Sequence, residues 1–581
     1  MKKEASPKRR LVGVLCVSVL VFAVIGIRLV DVQGLGRERY ARLGLDQRLQ
    51  TIELAAERGS IFDRNGSDLA VSVQQQTVFA DARVIEDPGG YAAALAPLVG
   101  VAQAELALKL SQRDKAFVYI ARKVNDDVAG QVLDLDLPGI HSVPESARFY
   151  PSNALAGPLL GFVGTDNNGL GGLEAGYEDL LAGKPGEVVV ERDPQGREIP
   201  NGERSVEPSQ RGDDLVLTID QSLQYETERV LMEGVTAANA KAGTAIVMDV
   251  QTGDILTMAT VEGPTAGQPA RPAPPSERNR PVTDVYEPGS TNKVITVAGA
   301  IEDGTVTPDT WFDVPSQITV DDEVFKDVDA HPTAMTVADI VRRSSNVGTI
   351  FIARQLGQER FDAYLRAFGF GSLTGVGFPG ESSGIVLPLA EYSDTSLASM
   401  PVGSGLAVTA LQMLNVYTTL ANDGATRPPR LVAATIGADG TRTEQPTAAS
   451  QLVVSPETAA TMRQLLEAVV AGGTGTRAAI PGYRVAGKTG TARKPPYTGA
   501  YVASFAGFAP ADAPRLATIV VLDEPGKSIY GGEVAAPVFS QILQYALRLE
   551  RVPPSDTTAA GADPVATAAA SLPPGSLNDS P

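Results

Sequence analysis

Apolar positions along this 581-residue chain change their period several times, and each change marks a new element. Residues 11–30, LVGVLCVSVLVFAVIGIRLV, are apolar on every face and carry one charge, Arg28, near the far end. About twenty residues of helix cross a bilayer core, so this run predicts a transmembrane anchor. From residue 31 to about 53 the spacing is helix-like, which predicts a juxtamembrane stalk. ERGSIFDRNGSDLAVS (57–72) reads as strand, Asn-Gly turn, strand. Residues 90–137 show the 3.6-residue period of short amphipathic helices, and 147–164 and 169–199 mix glycine turns with a short helix and strands. The pattern changes near Arg211, where DLVLTID predicts a strand leading into a long amphipathic helix. GTAIVMDVQTGDILTMAT (243–260) is two alternating runs around a Thr-Gly-Asp turn, a hairpin signal. A Pro-rich loop (263–281) follows, and helical periodicity then dominates 290–480. YRVAGKTGTARK, YVASFAGFAP and RLATIVVLDEP predict three strands at hairpin spacing, and 536–550 a closing helix. Residues 551–581 hold too few large apolar side chains to bury and read as a disordered Ala/Pro/Ser/Thr tail.

Composition narrows the chemistry. At this length one core is not enough, and 43% hydrophobic residues are sufficient to fold most of the chain. A net charge of -19 argues against nucleic-acid binding, which needs a Lys/Arg excess. The single cysteine, Cys16, excludes an intramolecular disulfide and a Cys-built metal site. Two histidines, His141 and His331, argue against a His-based zinc site or a Ser-His-Asp triad. Any serine nucleophile must find its base elsewhere. The basic MKKEASPKRR (1–10) places the N-terminus in the cytoplasm. A cleaved signal peptide fits less well, because the run is long and no small-x-small site follows it. A lipoprotein anchor at Cys16 would want a small residue where Leu15 stands.

In YEPGSTNKVITVAGAIEDG (286–304), Ser290 and Lys293 stand three residues apart at a helix start and so share a face. Such a pair also arises by chance on solvated helices. Two further clusters change its meaning. RRSSNVG (342–348) supplies Ser344 and Asn346 between helical segments. GKTGTA (487–492) places Lys488, Thr489, Gly490 and Thr491 on a predicted edge strand. In this order, S-x-x-K, S-x-N and K-T-G resemble the signature of penicillin-binding proteins and class A β-lactamases.

The resemblance implies roles. Ser290 would be the acylated nucleophile and Lys293 its base, made neutral by burial and by the positive field of Lys488. Backbone N–H groups of Ser290 and Thr491 would form the oxyanion hole. Ser344 would relay the proton to the leaving amine, and Asn346 would bind the substrate's backbone amide. Thr489 and Thr491 with Lys488 would hold a terminal carboxylate, and Gly490 would let a substrate strand lie close. No metal or other cofactor is implied. Asn292 departs from the family, which commonly has an aromatic there.

RGSIFDRNG (58–66), RFYP (148–151), GLEAGYEDLLAG (172–183) and YGGEVAAPVF (530–539) resemble class B penicillin-binding proteins in patches over roughly 55–545. No glycosyltransferase block of the class A type is present between the anchor and Ser290. The implied architecture is multidomain α+β: a cytoplasmic tail (1–10), a transmembrane anchor (11–30) and a mixed β/α pedestal (31–210). A penicillin-binding/serine β-lactamase-like transpeptidase domain (211–550), an antiparallel sheet flanked by helices, and the tail (551–581) complete it. The implied activity is peptidoglycan D,D-transpeptidation of stem peptides delivered on a lipid-linked precursor, through an acyl-enzyme that β-lactams also form. SMPVGSGLAVTALQ (399–412) and the compact pedestal look more like the division type than the elongation type. That type implies an extracytoplasmic catalytic domain and a polytopic glycosyltransferase among divisome partners. A β-lactam sensor or hydrolase and a catalytically inactive scaffold are the alternatives from other classes.

Overall fold

The computed structural model describes residues 7–35, 38, 48–191, 199, 202, 204–265 and 267–555. The expected tail at 551–581 lies almost wholly outside them, as do residues 1–6. The chain forms two compact bodies: residues 1–57 with 183–212, and 58–182 with 213 onward.

In the first body, helix Pro7–Val30 carries the apolar run, with Leu11 and Phe22 largely exposed. Among the described residues it is the one helix long and apolar enough to cross a membrane. Three antiparallel strands follow, Leu49–Leu54 against Gly186–Glu191 and that against Arg204–Glu207. Leu49–Leu54 was expected to continue a helical stalk. Pairing with the β-branched run Val188–Val190 overrides its helix-like spacing.

The second body is organised by a six-stranded antiparallel sheet. Its order runs from Arg271–Pro272 through Ile255–Glu262, Ala242–Asp249, Leu516–Asp523 and Tyr501–Ala509 to the edge strand Ala486–Arg493. Both faces are covered, so the strands read as apolar runs, yet the side chains still divide with period two. Ala245, Val247, Val520, Leu522 and Phe505 pack on helices Gln221–Ala238 and Ala536–Leu549. Ile246, Met248, Ile519, Val521 and Phe508 face the helices that carry the site, including Lys293–Glu302 and Ala410–Ala421. Each of the larger side chains among these, when fully buried, contributes about 1.5–3 kcal/mol.

The compact bodies change over between residues 212 and 213, but residues 58–182 belong to the same body as 213 onward. Ile61–Phe62 pairs in parallel with Leu215–Val216, and this joins 58–182 to the remainder in one mixed sheet. Ile61, Leu69, Leu159, Leu173 and Leu181 accordingly share a core with Leu215, Leu217 and the site-bearing helices. The Asn-Gly turn of the first hairpin is locked to the same body. Asp63 accepts the N–H groups of Asn65 and Ser67, and Asn65 Nδ2 donates to Asp220, which caps helix Gln221–Ala238.

The three N-terminal motifs meet in one buried cluster. Glu174 Oε2 accepts Arg58 Nε and Glu174 Oε1 accepts Arg148 Nε, each at 2.6 Å, with all three side chains at most 2% exposed. Arg58 also reaches Glu178 and the carbonyl of Glu174, and Arg148 the carbonyl of Gly59. One carboxylate thus holds two guanidiniums out of water, an arrangement whose removal by halves is costly. Glu174→Gln is expected to lower stability by about 3–5 kcal/mol. Denaturant unfolding checks this, and an unchanged midpoint would contradict it.

Candidate active site

Ser290 lies half-buried in a single 3-10 turn, Gly289–Asn292, that leads into helix Lys293–Glu302. The turn is packed on three sides. Gly289 has φ +57, donates its N–H to the Gly403 carbonyl, and lies so close to Thr491 that a Cβ would stand 2.8 Å from its carbonyl oxygen. Thr291 Oγ1 donates to the Pro288 carbonyl, and the buried Tyr417 hydroxyl donates to the carbonyl of Thr291. Asn292, the departure noted above, is fully buried and donates Nδ2 to the Met400 carbonyl at 2.7 Å. A polar anchor to the 400–402 turn therefore stands where an aromatic would pack.

Lys293 is 3% exposed, and its Nζ donates to the Ser344 carbonyl at 2.6 Å and to Asn346 Oδ1 at 2.7 Å, with Ser344 Oγ at 3.3 Å. Asn346 Nδ2 donates to the Lys326 carbonyl, which fixes the amide with its oxygen toward the lysine. A neutral amine has two N–H bonds and one lone pair. A neutral Lys293 can give both N–H bonds to the two carbonyl-type oxygens and turn its lone pair to a hydroxyl. Burial drives Lys293 down to about 7, against the charge of Asp327, which favours the protonated form. No hydrogen bond of Lys293 runs to Ser290 Oγ in this state; the two share a face of the turn, three residues apart.

Ser344 closes helix Val337–Arg343 in the left-handed region, φ 63 and ψ 37. That conformation costs a non-glycine residue of order 1 kcal/mol. It reverses the chain so that its carbonyl and hydroxyl both meet Lys293. Ser345 then caps helix Asn346–Leu356, its Oγ accepting the Gly348 N–H.

The edge strand brings up the last group. Lys488 pairs opposite Ala506 and Gly490 opposite Ser504. A Cβ on Gly490 would stand 2.9 Å from the Pro288 carbonyl and 3.0 Å from Thr291 Cγ2, so only glycine lets the serine turn sit this close. Lys488 is 1% exposed, and its Nζ has no hydrogen-bond partner among the described residues. Burial first, and then the charge of Lys293, hold it well below the usual lysine range. Thr489 and Thr491 alternate to the other side. Thr489 Oγ1 pairs with Thr474 Oγ1, and Thr491 Oγ1 accepts the Gly531 N–H, which leaves its own O–H free to donate.

Lys293, Ser344, Asn346, Lys488 and Gly490 are thus brought together around the turn that carries Ser290. Sequence reasoning missed Glu287 and Asp327. Glu287 Oε1 accepts the Gly405 N–H and the Tyr497 hydroxyl, tying two loops to the serine turn. Asp327 follows hairpin Gln317–Lys326, whose alternation around Asp321-Asp322 was a readable signal inside a stretch taken as helical.

Comparison with known proteins agrees with this geometry. Residues 243–544 match the penicillin binding protein transpeptidase domain, and residues 53–217 the penicillin-binding protein dimerisation domain. The chain is 36% identical to penicillin-binding protein PbpB of Mycolicibacterium smegmatis, over 86% of this chain and 84% of that one. It is 35% identical to peptidoglycan D,D-transpeptidase FtsI of Escherichia coli K12, over 94% and 92%. Among solved structures it resembles penicillin binding protein 3 of Mycobacterium tuberculosis in complex with aztreonam, with TM-score 0.66 and 31% identity over 87% and 98%. With two family domains, a serine cleft and relatives matched along most of their length, the chain belongs to the class B penicillin-binding proteins, the peptidoglycan D,D-transpeptidases of the division type.

Proposed function

We propose that Ser290 is the acylated residue and that Lys293, in its neutral form, takes its proton. Ser290 Oγ attacks the penultimate D-Ala carbonyl of a pentapeptide stem. The new Oγ–C bond forms as the bond to the terminal D-Ala nitrogen breaks. The proton passes from Ser290 to Lys293 and, through Ser344, to the leaving amine. An amine of a neighbouring stem then attacks the ester and frees Ser290. The N–H groups of Ser290 and Thr491 stabilise the oxyanion, Asn346 binds the stem's backbone amide, and Gly490 gives the stem room along the edge strand. Lys488, Thr489 and Thr491 hold the terminal carboxylate; the unpartnered amine of Lys488 is the observation that supports this subsite. β-Lactams enter as mimics of the same acyl donor.

The two Nζ–H bonds of Lys293, already satisfied at Ser344 and Asn346, carry the reading. Acyl transfer rather than hydrolysis is favoured by Glu287 and Asp327, whose carboxylates beside the cleft are already engaged by protein donors. Helix Pro7–Val30 would anchor the chain by one pass, the basic residues before it staying cytoplasmic and the catalytic domain outside. The helix and the pedestal would meet a polytopic glycosyltransferase and other division proteins that handle the lipid-linked precursor.

Ser290→Ala should abolish covalent labelling by fluorescent penicillin. Lys293→Arg, which cannot give up its proton, should slow acylation at least 10²-fold in stopped flow. A rate within a few fold of wild type would remove Lys293 as the base. The wild-type acylation rate should rise with pH through about 7, as Lys293 loses its proton, and level off above. A flat profile between pH 5.5 and about 9 would contradict this assignment.

A further inference from the structure

Asp327 lies against the Ser344–Asn346 turn with its side chain 4% exposed and both oxygens accepting from protein donors. Oδ1 accepts the backbone N–H groups of Asn346 and, at 3.1 Å, Val347, which open helix Asn346–Leu356. Oδ2 accepts Ser345 Oγ at 2.7 Å and lies 2.8 Å from His331 Nε2. The preceding residue, Lys326, offers its carbonyl to Asn346 Nδ2, and the Asp327 N–H donates to the Ser316 carbonyl. Residues 326–327 therefore grip all of Ser345, Asn346 and the first turn of the next helix. That turn is what presents the Ser344 carbonyl and Asn346 Oδ1 to Lys293.

We propose that Asp327 is a positioning residue for acylation, holding the Ser344–Asn346 turn against the hairpin so that both Lys293 N–H bonds have acceptors. It rests on the assignment of Ser290 and Lys293 above. Three observations favour this over a merely structural aspartate. The carboxylate bonds the motif residues themselves rather than a distant scaffold. It holds the backbone N–H of Asn346 while the Lys326 carbonyl holds the side-chain amide of the same residue. Its negative charge also acts on Lys293, opposing the loss of its proton. Charged or titratable groups near this end of helix Lys293–Glu302 include Lys488 on the edge strand, Glu287 ahead of the serine turn and His331 beside Asp327. Glu302, bonded to Ser455, and Asp303, paired with Arg360, sit at the far end.

Position and charge make opposite contributions, so two variants separate them. Asp327→Asn removes the charge and one acceptor. The plateau acylation rate should fall at least tenfold, while the pH midpoint moves below that of wild type, because an anion that favoured protonated Lys293 is gone. Asp327→Glu keeps the charge but displaces it. Its plateau should fall by a similar factor with the midpoint near the wild-type value. Both are measured by stopped-flow penicillin acylation of the full-length protein in detergent, relative to wild type, with folding checked by circular dichroism. Wild-type acylation that Ser290→Ala does not abolish would instead refute the assignment of the nucleophile. Plateaus within threefold of wild type, or an Asp327→Asn midpoint unmoved or raised, would overturn the role of Asp327. If Asp327→Asn does not fold, the plateau of Asp327→Glu decides alone.

Discussion

Two lysine amines are buried beside one serine, and water reaches neither freely. An ammonium in such a place loses solvation that one neighbouring carboxylate does not replace, and two ammoniums repel each other. The protons are therefore held loosely, and both amines titrate below the usual lysine range. The two differ in their partners. Lys293 has acceptors for two N–H bonds, which suits a neutral amine with a free lone pair. Lys488 has none among the described residues, which suits an amine awaiting an external anion. The proposed base and the proposed anion subsite thus rest on one constraint, the same residue type in two hydrogen-bonding environments.

The fold exists, at this site, to maintain that burial. An antiparallel sheet covered on both faces supplies a rigid edge strand, and the edge places Lys488 where the serine turn seals it. Closure needs backbone contact on both sides. Gly490 admits the turn, Gly289 takes a positive φ against Thr491, and Ser344 accepts a left-handed conformation to aim two oxygens at Lys293. Around this, Glu287 and Asp327 hold neighbouring loops with charge-assisted hydrogen bonds, stronger than neutral ones.

Much of this was legible in the chain. The Ser290/Lys293 spacing is a helix-face relation, and 486–523 alternates as strands must, so the serine turn and edge strand could be placed from residues alone. The anchor run was equally plain. What escaped depends on long-range pairing. Ile61–Phe62 is too short to announce a parallel partner at Leu215–Val216, so the joining of 58–182 to the body after residue 212 was not legible. Leu49–Leu54 carries helix-like spacing and becomes a strand only because Val188–Val190 lies beside it. Asp327 is one acid among many on a chain of net charge -19, and only the return of the hairpin reveals what it grips.

The central claim is that burial brings Lys293 down to about 7, so that a neutral amine is available near physiological pH. The direct measurement is its titration by NMR in protein carrying ¹³C-labelled lysine, with the Lys293 signal assigned by its absence in Lys293→Arg. The account predicts a midpoint near 7. A midpoint above about 10, the range of a solvated lysine, would contradict it.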